Sequence, residues 1–264
     1  MILSESTWKD ISQFADPNVV ALVPLGATEQ HGLHLPLNTD YFNSVEFARR
    51  AEARTRNSAK ILLLQGLPYG VSSTHMAFTG TISLTAETYI RVVREICKSL
   101  TVHGIKKIVL FNGHVGNSAP LSIVCTEISL ETGAEVLLVN WWDLCPDSIK
   151  QNFGFMFHTC EAESSVSLAL GQSVYSEKAS GQKPISSIEL IKFNMFSDGA
   201  KIRQASVGSL NRLSSTGTVG SPKKMDQKKG EVIVNIALER LVQLLVEFSH
   251  SPILVDAKRP KPLD

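Results

Sequence analysis

The residues best suited to chemistry lie in one stretch, Ala27 to Asp40, reading ATEQHGLHLPLNTD. It sets Glu29, His31, His34 and Asp40 directly behind VVALVPLG, an apolar run with the character of a buried strand. Carboxylates and imidazoles massed where a strand ends suit hard or borderline divalent cations such as zinc, manganese or iron. The stretch therefore reads as the first half of a metal site.

Three further polar clusters follow. FNGHVGN (residues 111–117) succeeds the apolar KKIVLF and opens a helix, so His114 stands at the carboxyl end of a strand, where open α/β sheets place their ligands. Its glycines and asparagines suit a tight turn. A phosphate cradle is the competing use of such a turn, but the GK[ST] ending and the dinucleotide glycine spacing are absent. A histidine ligand fits better. HTCEAESS (158–165) offers His158, Glu161 and Glu163 as ligands or proton carriers at a helix start, where acidic residues also serve simply to stabilise the macrodipole. GVSSTHMAFTGTISL (70–84) places His75 in a Ser/Thr/Gly-rich loop, where structural and functional roles are equally open.

These clusters need a scaffold, and the composition allows one. A chain of 264 residues with 43% hydrophobic content can form one large globular domain over residues 1–264. Lys plus Arg number 26 against 25 acidic residues, so charge gives no reason to expect nucleic acid or an anionic membrane as partner. A small neutral or modestly charged substrate fits better. The start MILSESTWKDISQF lacks the form of a signal peptide, and no apolar run approaches the ~18 residues of a membrane helix. We expect a soluble, cytoplasmic protein. The four cysteines, 97, 125, 145 and 160, include no CxxC pair, so any metal is expected on nitrogen and oxygen ligands.

Short β-rich runs at Val19 to Leu25, Lys60 to Leu64, Lys107 to Phe111 and Glu135 to Asn140 alternate with helical patterns. The helices are expected at Asp40 to Arg56, Ala86 to His103, Asn117 to Thr132, Glu163 to Gln172 and Lys228 to Ser249. This alternation predicts an α/β domain with a mainly parallel sheet. Residues 181–229, rich in Ser, Gly and Lys, read as a long loop of the kind that covers a site or makes subunit contacts.

Taken together, ATEQHGLHLPLNTD, THMAFTGTISL, NGHVGN and HTCEAESS occur in the order and spacing of the creatininase (creatinine amidohydrolase) family. That family's usual forms are GxxEQHGxHLPxxTD, HxxFPGTxSL, NGHGGN and HAGExETS. GTVGSP followed by KKGEVI also resembles the family's Gly-Pro loop and closing helix, so the resemblance spans nearly the whole chain. It implies a three-layer αβα sandwich, two divalent metals per chain bridged by a carboxylate and a water or hydroxide, and a homo-oligomer, often a hexamer. Glu29, Asp40 and His114 would hold one metal, and His31 with the bridging Asp40 the other. Members that hydrolyse creatinine carry a glutamate where this chain has Gly116 and an apolar residue where it has Glu161, so Glu161 is expected as the missing ligand of the second metal. Trp142 in NWWDL matches a family tryptophan at the end of a strand, a position open both to walling the pocket and to ordinary core packing, and His75 and His158 are further candidates for substrate contact.

Two cations ~3.5–4 Å apart lower the pKa of a shared water and polarise a carbonyl, which suits amide hydrolysis. The leaving nitrogen needs a proton, and His158 has the titration range to give it. Glu163 would orient a ligand, or exchange roles with Glu161 as ligand and proton carrier. Gln30 and His34 are expected to orient ligands, and Cys160 to pack. AFTGT in place of FPGT, Cys160 in place of glycine, ESS in place of ETS, and Gly116 argue against creatinine itself. The expected function is a metal-dependent amidohydrolase of cyclic amides, formamides or related small molecules. Processing of a modified peptide and a non-catalytic metal-binding module remain as alternatives.

Overall fold

The structure, a computed structural model, describes residues 1–182 and 208–253. Its centre is a parallel sheet of β1 (Val20–Leu25), β2 (Ile61–Leu63), β3 (Lys107–Asn112) and β4 (Glu135–Asn140), in the order β2-β1-β3-β4. The strands β1, β2 and β3 are buried along their whole length, which is why they read as continuous apolar runs rather than alternating ones.

Strand periodicity divides their side chains between two cores. Val20 and Leu22 of β1 pack with α2 (Thr39–Thr55), α6 (Glu161–Leu170) and α7 (Gln227–His250) on one face. Ala21, Val23 and Leu25 pack with α3 (Ala86–Val102) and α4 (Ser118–Thr132) on the other. The result is the three-layer αβα sandwich expected. Two shorter helices complete it: α1 (Trp8–Phe14), with a Thr7–Asp10 capping box, and α5 (Pro146–Phe153), with proline in its first turn. Neither was expected, because each is too short to show an apolar period. The helix expected from Glu163 instead starts at Glu161.

From β1 the chain crosses through α2 to β2 on one side, then returns through α3, on the opposite face, to β3 on the other side. Reversing direction while keeping one crossover hand requires this change of face. The segments leaving β1 and β3 therefore diverge at their carboxyl ends and open a crevice between them. Of the loop expected over 181–229, residues 183–207 lie outside the described residues; from 208 it runs through short turns at Leu210–Arg212 and Pro222–Lys224 to α7. No helix among the described residues is long and apolar enough to cross a membrane.

Candidate metal centre

Five segments meet at the crevice. Beyond β1 the chain folds tightly on itself, with Glu29 N–H donating to Leu37 C=O (2.9 Å) and Leu35 N–H to His31 C=O (3.3 Å), which turns Glu29 and His31 inward. Asp40 follows in the first turn of α2, where the helix dipole favours a carboxylate. His114 leaves β3 on a turn held by Asn112, whose side chain accepts from His114 N–H (3.0 Å) and donates to His114 C=O (2.7 Å). The imidazole Nε2 lies 3.0 Å from the Val71 carbonyl. Gly116 makes that contact possible, since a Cβ there would stand 2.2 Å from the Val71 oxygen and 2.4 Å from His114 Nε2. His158 and Glu163 flank a turn at Thr159, the only non-glycine residue with positive φ (58°) among the described residues. Its N–H donates to Glu163 Oε2 at 2.5 Å.

The donor atoms form overlapping groups: Glu29, Asp40 and His114; His31, Asp40 and Glu163; and Glu29, His31 and His158, each within 4.8 Å. Asp40 is common to the first two. Its Oδ1 lies 3.1 Å from His31 Nε2 and its Oδ2 2.8 Å from His114 Nδ1. Glu29 Oε2 is 3.4 Å from His114 Nε2, and its Oε1 is 3.5 Å from His75 Nε2 and 3.7 Å from His158 Nδ1.

These contacts suit a cation better than they suit hydrogen bonds. Both oxygens of the fully buried Glu29 and Oδ2 of Asp40 find no partner at hydrogen-bond geometry, although unpaired buried carboxylate oxygens are costly. Asp40 Oδ2 and His114 Nδ1 are close but off the line that an N–H donor needs. The N–H of His114 is directed at Val71, which leaves a lone pair on Nδ1 beside the carboxylate. An all nitrogen and oxygen donor set with unspent buried oxygens fits zinc, manganese or iron.

The electrostatics agree. Burial lifts Glu29 to about 7 against the pull of His114. Burial opposes charge on His114 too, yet Glu29 and Asp40 raise it to about 9, and Asp40 and Glu163 raise His31 well above its ordinary value. Asp40, buried between those two rings, is held well below the usual carboxylate range. The site calls for positive charge, which protons supply when nothing else does. His75 and His158 go the other way: burial and the neighbouring rings lower His75 to about 3 and His158 far below its ordinary value, so both stay neutral.

The remaining candidates fall around this centre. Glu161, expected as the missing ligand, is not in any of the donor groups; its Oε2 accepts from the Ser221 N–H at 2.7 Å. Glu163 stands with His31 and Asp40 instead, because residues two apart on a helix start point in nearly opposite directions. His34 Nε2 is 2.8 Å from Ser164 Oγ, tying the first motif to α6. Cys160 is buried at the start of α6 with its thiol pushed up to about 12 by burial and Glu163, no nucleophile. Trp142, His75, His114, His158 and Glu163 line a cavity of about 240 Å³ together with Val115, Phe157 and Leu210. A larger cavity of about 830 Å³ between α1 and α3 contains one histidine and no carboxylate, so the chemistry belongs to the smaller one. The contacts of Gln30 with His75 and His158 escaped the sequence, apart from the position of Gln30 between two candidate ligands.

Fold and site define a parallel α/β protein with a buried nitrogen and oxygen centre of the kind metal-dependent hydrolases use. The family model for Creatininase, described as creatinine amidohydrolase, matches residues 4–245, and the chain belongs to that family. It is 26% identical over 268 residues to creatinine amidohydrolase of Pseudomonas putida, covering 94% of this chain and 96% of that protein. It is 34% identical over 117 residues to the mycofactocin precursor peptide peptidase of Mycobacterium tuberculosis, covering 42% and 46%. Among solved structures, a creatininase variant complexed with creatine matches with a TM-score of 0.79 at 25% identity, over 95% of this chain and 99% of that one. A zinc–zinc form and a manganese form of creatininase match at 26% identity with TM-scores of 0.74 and 0.75, each over 93% of this chain and 97% of the other.

Proposed function

We propose that this protein is a metal-dependent amidohydrolase that cleaves the C–N bond of a small cyclic amide, formamide or related molecule at a two-cation site. The observation that carries this reading is the set of unpaired buried oxygens on Glu29 and Asp40, aimed among imidazoles at the floor of a small cavity. Glu29, Asp40 and His114 would hold one cation, and His31, Asp40 and Glu163 the other. Zinc or manganese is favoured, as in the solved relatives. Bound there, the cations would supply Lewis acidity and a water of lowered pKa. His158, neutral and facing the cavity with Nδ1, takes a proton from the attacking water as the C–O bond forms. It returns that proton to the leaving nitrogen as the C–N bond breaks, giving a carboxylic acid and an amine. Trp142, Val115 and Phe157 form apolar walls, and a cavity near 240 Å³ suits a compact substrate, since drug-sized ligands take about 300 Å³ or more.

A second reading, cleavage of a modified peptide, is favoured by the higher identity to the mycobacterial peptidase within its matched segment. One experiment tests the metal claim: elemental analysis should give about two cations per chain, both lost in Asp40→Ala. Retention of a full complement by that variant would overturn the shared-carboxylate site. Turnover of lactams, hydantoins or formamides, rather than of peptides alone, decides between the two substrates.

A further inference from the structure

We propose that Gln30 is a positioning residue that fixes the proton of His75 and of His158, so that His75 turns an N–H and His158 a bare nitrogen toward the cavity. The inference rests on the hydrolase reading for its purpose but not for its geometry. Gly32 N–H donates to Gln30 Oε1 at 3.0 Å, which identifies the other end of the amide as the donor nitrogen. That nitrogen lies 3.0 Å from His75 Nδ1, 2.8 Å from His158 Nε2 and 3.3 Å from the Gly217 carbonyl. The main-chain carbonyl of Gln30 is a further 2.9 Å neighbour of His158 Nε2.

Two protons on the amide serve three neighbours, and the carbonyls decide the arrangement. If the amide donated to both rings, the carbonyls of Gln30 and Gly217 would be left bare, since no other donor among the described residues reaches either. If it donates to His75 and Gly217, His158 keeps a proton on Nε2 for the Gln30 carbonyl and both carbonyls are paired, with the Gln30 and His158 Nε2 atoms, 2.8 Å apart, as the one donor-to-donor approach. His75 then carries its proton on Nε2, 3.5 Å from Glu29 Oε1, and His158 presents a bare Nδ1, 3.7 Å from the same oxygen. One residue thus gives two rings opposite faces: a donor for a substrate oxygen, and an acceptor for the proton of the attacking water. The amide is held in place from outside as well, because a Cβ on Gly217 would lie 1.8 Å from its Oε1.

The test is long-range ¹H–¹⁵N correlation of the histidine rings in the full, zinc-loaded, ¹⁵N-labelled chain. In the native protein both His75 and His158 should carry their proton on Nε2. Gln30→Glu, a carboxylate that can only accept, should move the His75 proton to Nδ1. It should lower kcat by on the order of 10- to 100-fold, with zinc content and KM changed less than about twofold. Gln30→Met should leave His75 divided between the two forms. Gly217→Ala, which touches neither ring, should disturb them in the same way by displacing Gln30. Dispersed spectra and cooperative melting in the variants separate these effects from failure to fold. A His75 proton on Nδ1 in the native chain, or unchanged ring signals in both Gln30 variants, would overturn the assignment. Native signals as described, with no amide turned over, would instead sink the hydrolase reading and leave the Gln30 assignment standing.

Discussion

Glu161 and Glu163 show how far residue type is from residue role. Both are buried carboxylates in the first turn of α6, and both end on a backbone N–H: Glu161 on Ser221, Glu163 on Thr159. What separates them is direction. Glu161 faces the GTVGSP loop, where Gly220 leaves room for it, since a Cβ at 220 would lie 3.0 Å from its Oε2. Glu163 has one oxygen left over, 3.8 Å from His31 Nε2. Glu163→Gln should therefore reduce bound metal from about two to about one per chain and cut turnover by at least 100-fold. Glu161→Gln should keep both metals and exchange a charged for a neutral hydrogen bond. That exchange costs about 1 kcal/mol, or a melting temperature lower by roughly 2–4 °C for a chain of this size. Metal analysis and thermal melts on the two proteins decide it, and the reverse pattern would return the ligand role to Glu161.

Elements position what residues supply, and the turn after β3 is the tightest case. His114 Nε2 sits against the Val71 carbonyl in a space that only a glycine at 116 leaves open, since a Cβ there would crowd both. Gly116→Ala cannot be absorbed by a flexible neighbour, so either the 70–75 loop or His114 must move. Affinity at the site that uses His114 should fall by about 10- to 100-fold, as when an orienting hydrogen bond is lost. Gly104→Ala, where a Cβ meets nothing within 4 Å, should leave metal affinity alone. Competition with a chromophoric zinc chelator measures both, and equal affinities would refute the packing explanation. The same contrast explains what the sequence could reveal. Glu29, His31, Asp40 and His114 were visible because strand ends and polar clusters mark them locally, and the long helices and strands because burial imposes a period. The phase of α6, which sets Glu163 rather than Glu161 beside His31 and Asp40, depends on where the helix starts. That start follows the left-handed Thr159, which no side-chain type announces. The partners of Gln30 were equally hidden, although an orienting role was expected of it, since His75, His158 and Gly217 are distant in sequence and joined to it only by the fold.

At the scale of the molecule, the centre is a set of clasps among segments that the unfolded chain keeps apart, so metal binding and folding are linked. Free cation at about 100 times its dissociation constant adds ~2.7 kcal/mol per site. Two sites should then raise the melting temperature by on the order of 10 °C over a chelator-treated sample. The difference should also depend on pH. Without metal, His31 and His114 hold protons among the carboxylates, with His114 raised from 6.5 to about 9. The stability contributed by a raised histidine is complete below its unfolded pKa and disappears as pH climbs through the folded one. Glu29, raised to about 7 by burial, adds a loss of the same sign as it ionises between its ordinary 4.5 and that value. The metal-free chain should therefore lose stability from about pH 6.5 to 9, while the loaded chain, whose cations replace those protons, should not. Melting curves with zinc and with chelator across that range should diverge as pH rises. A constant or narrowing gap would mean that the buried histidines and carboxylates do not share their charge with a metal.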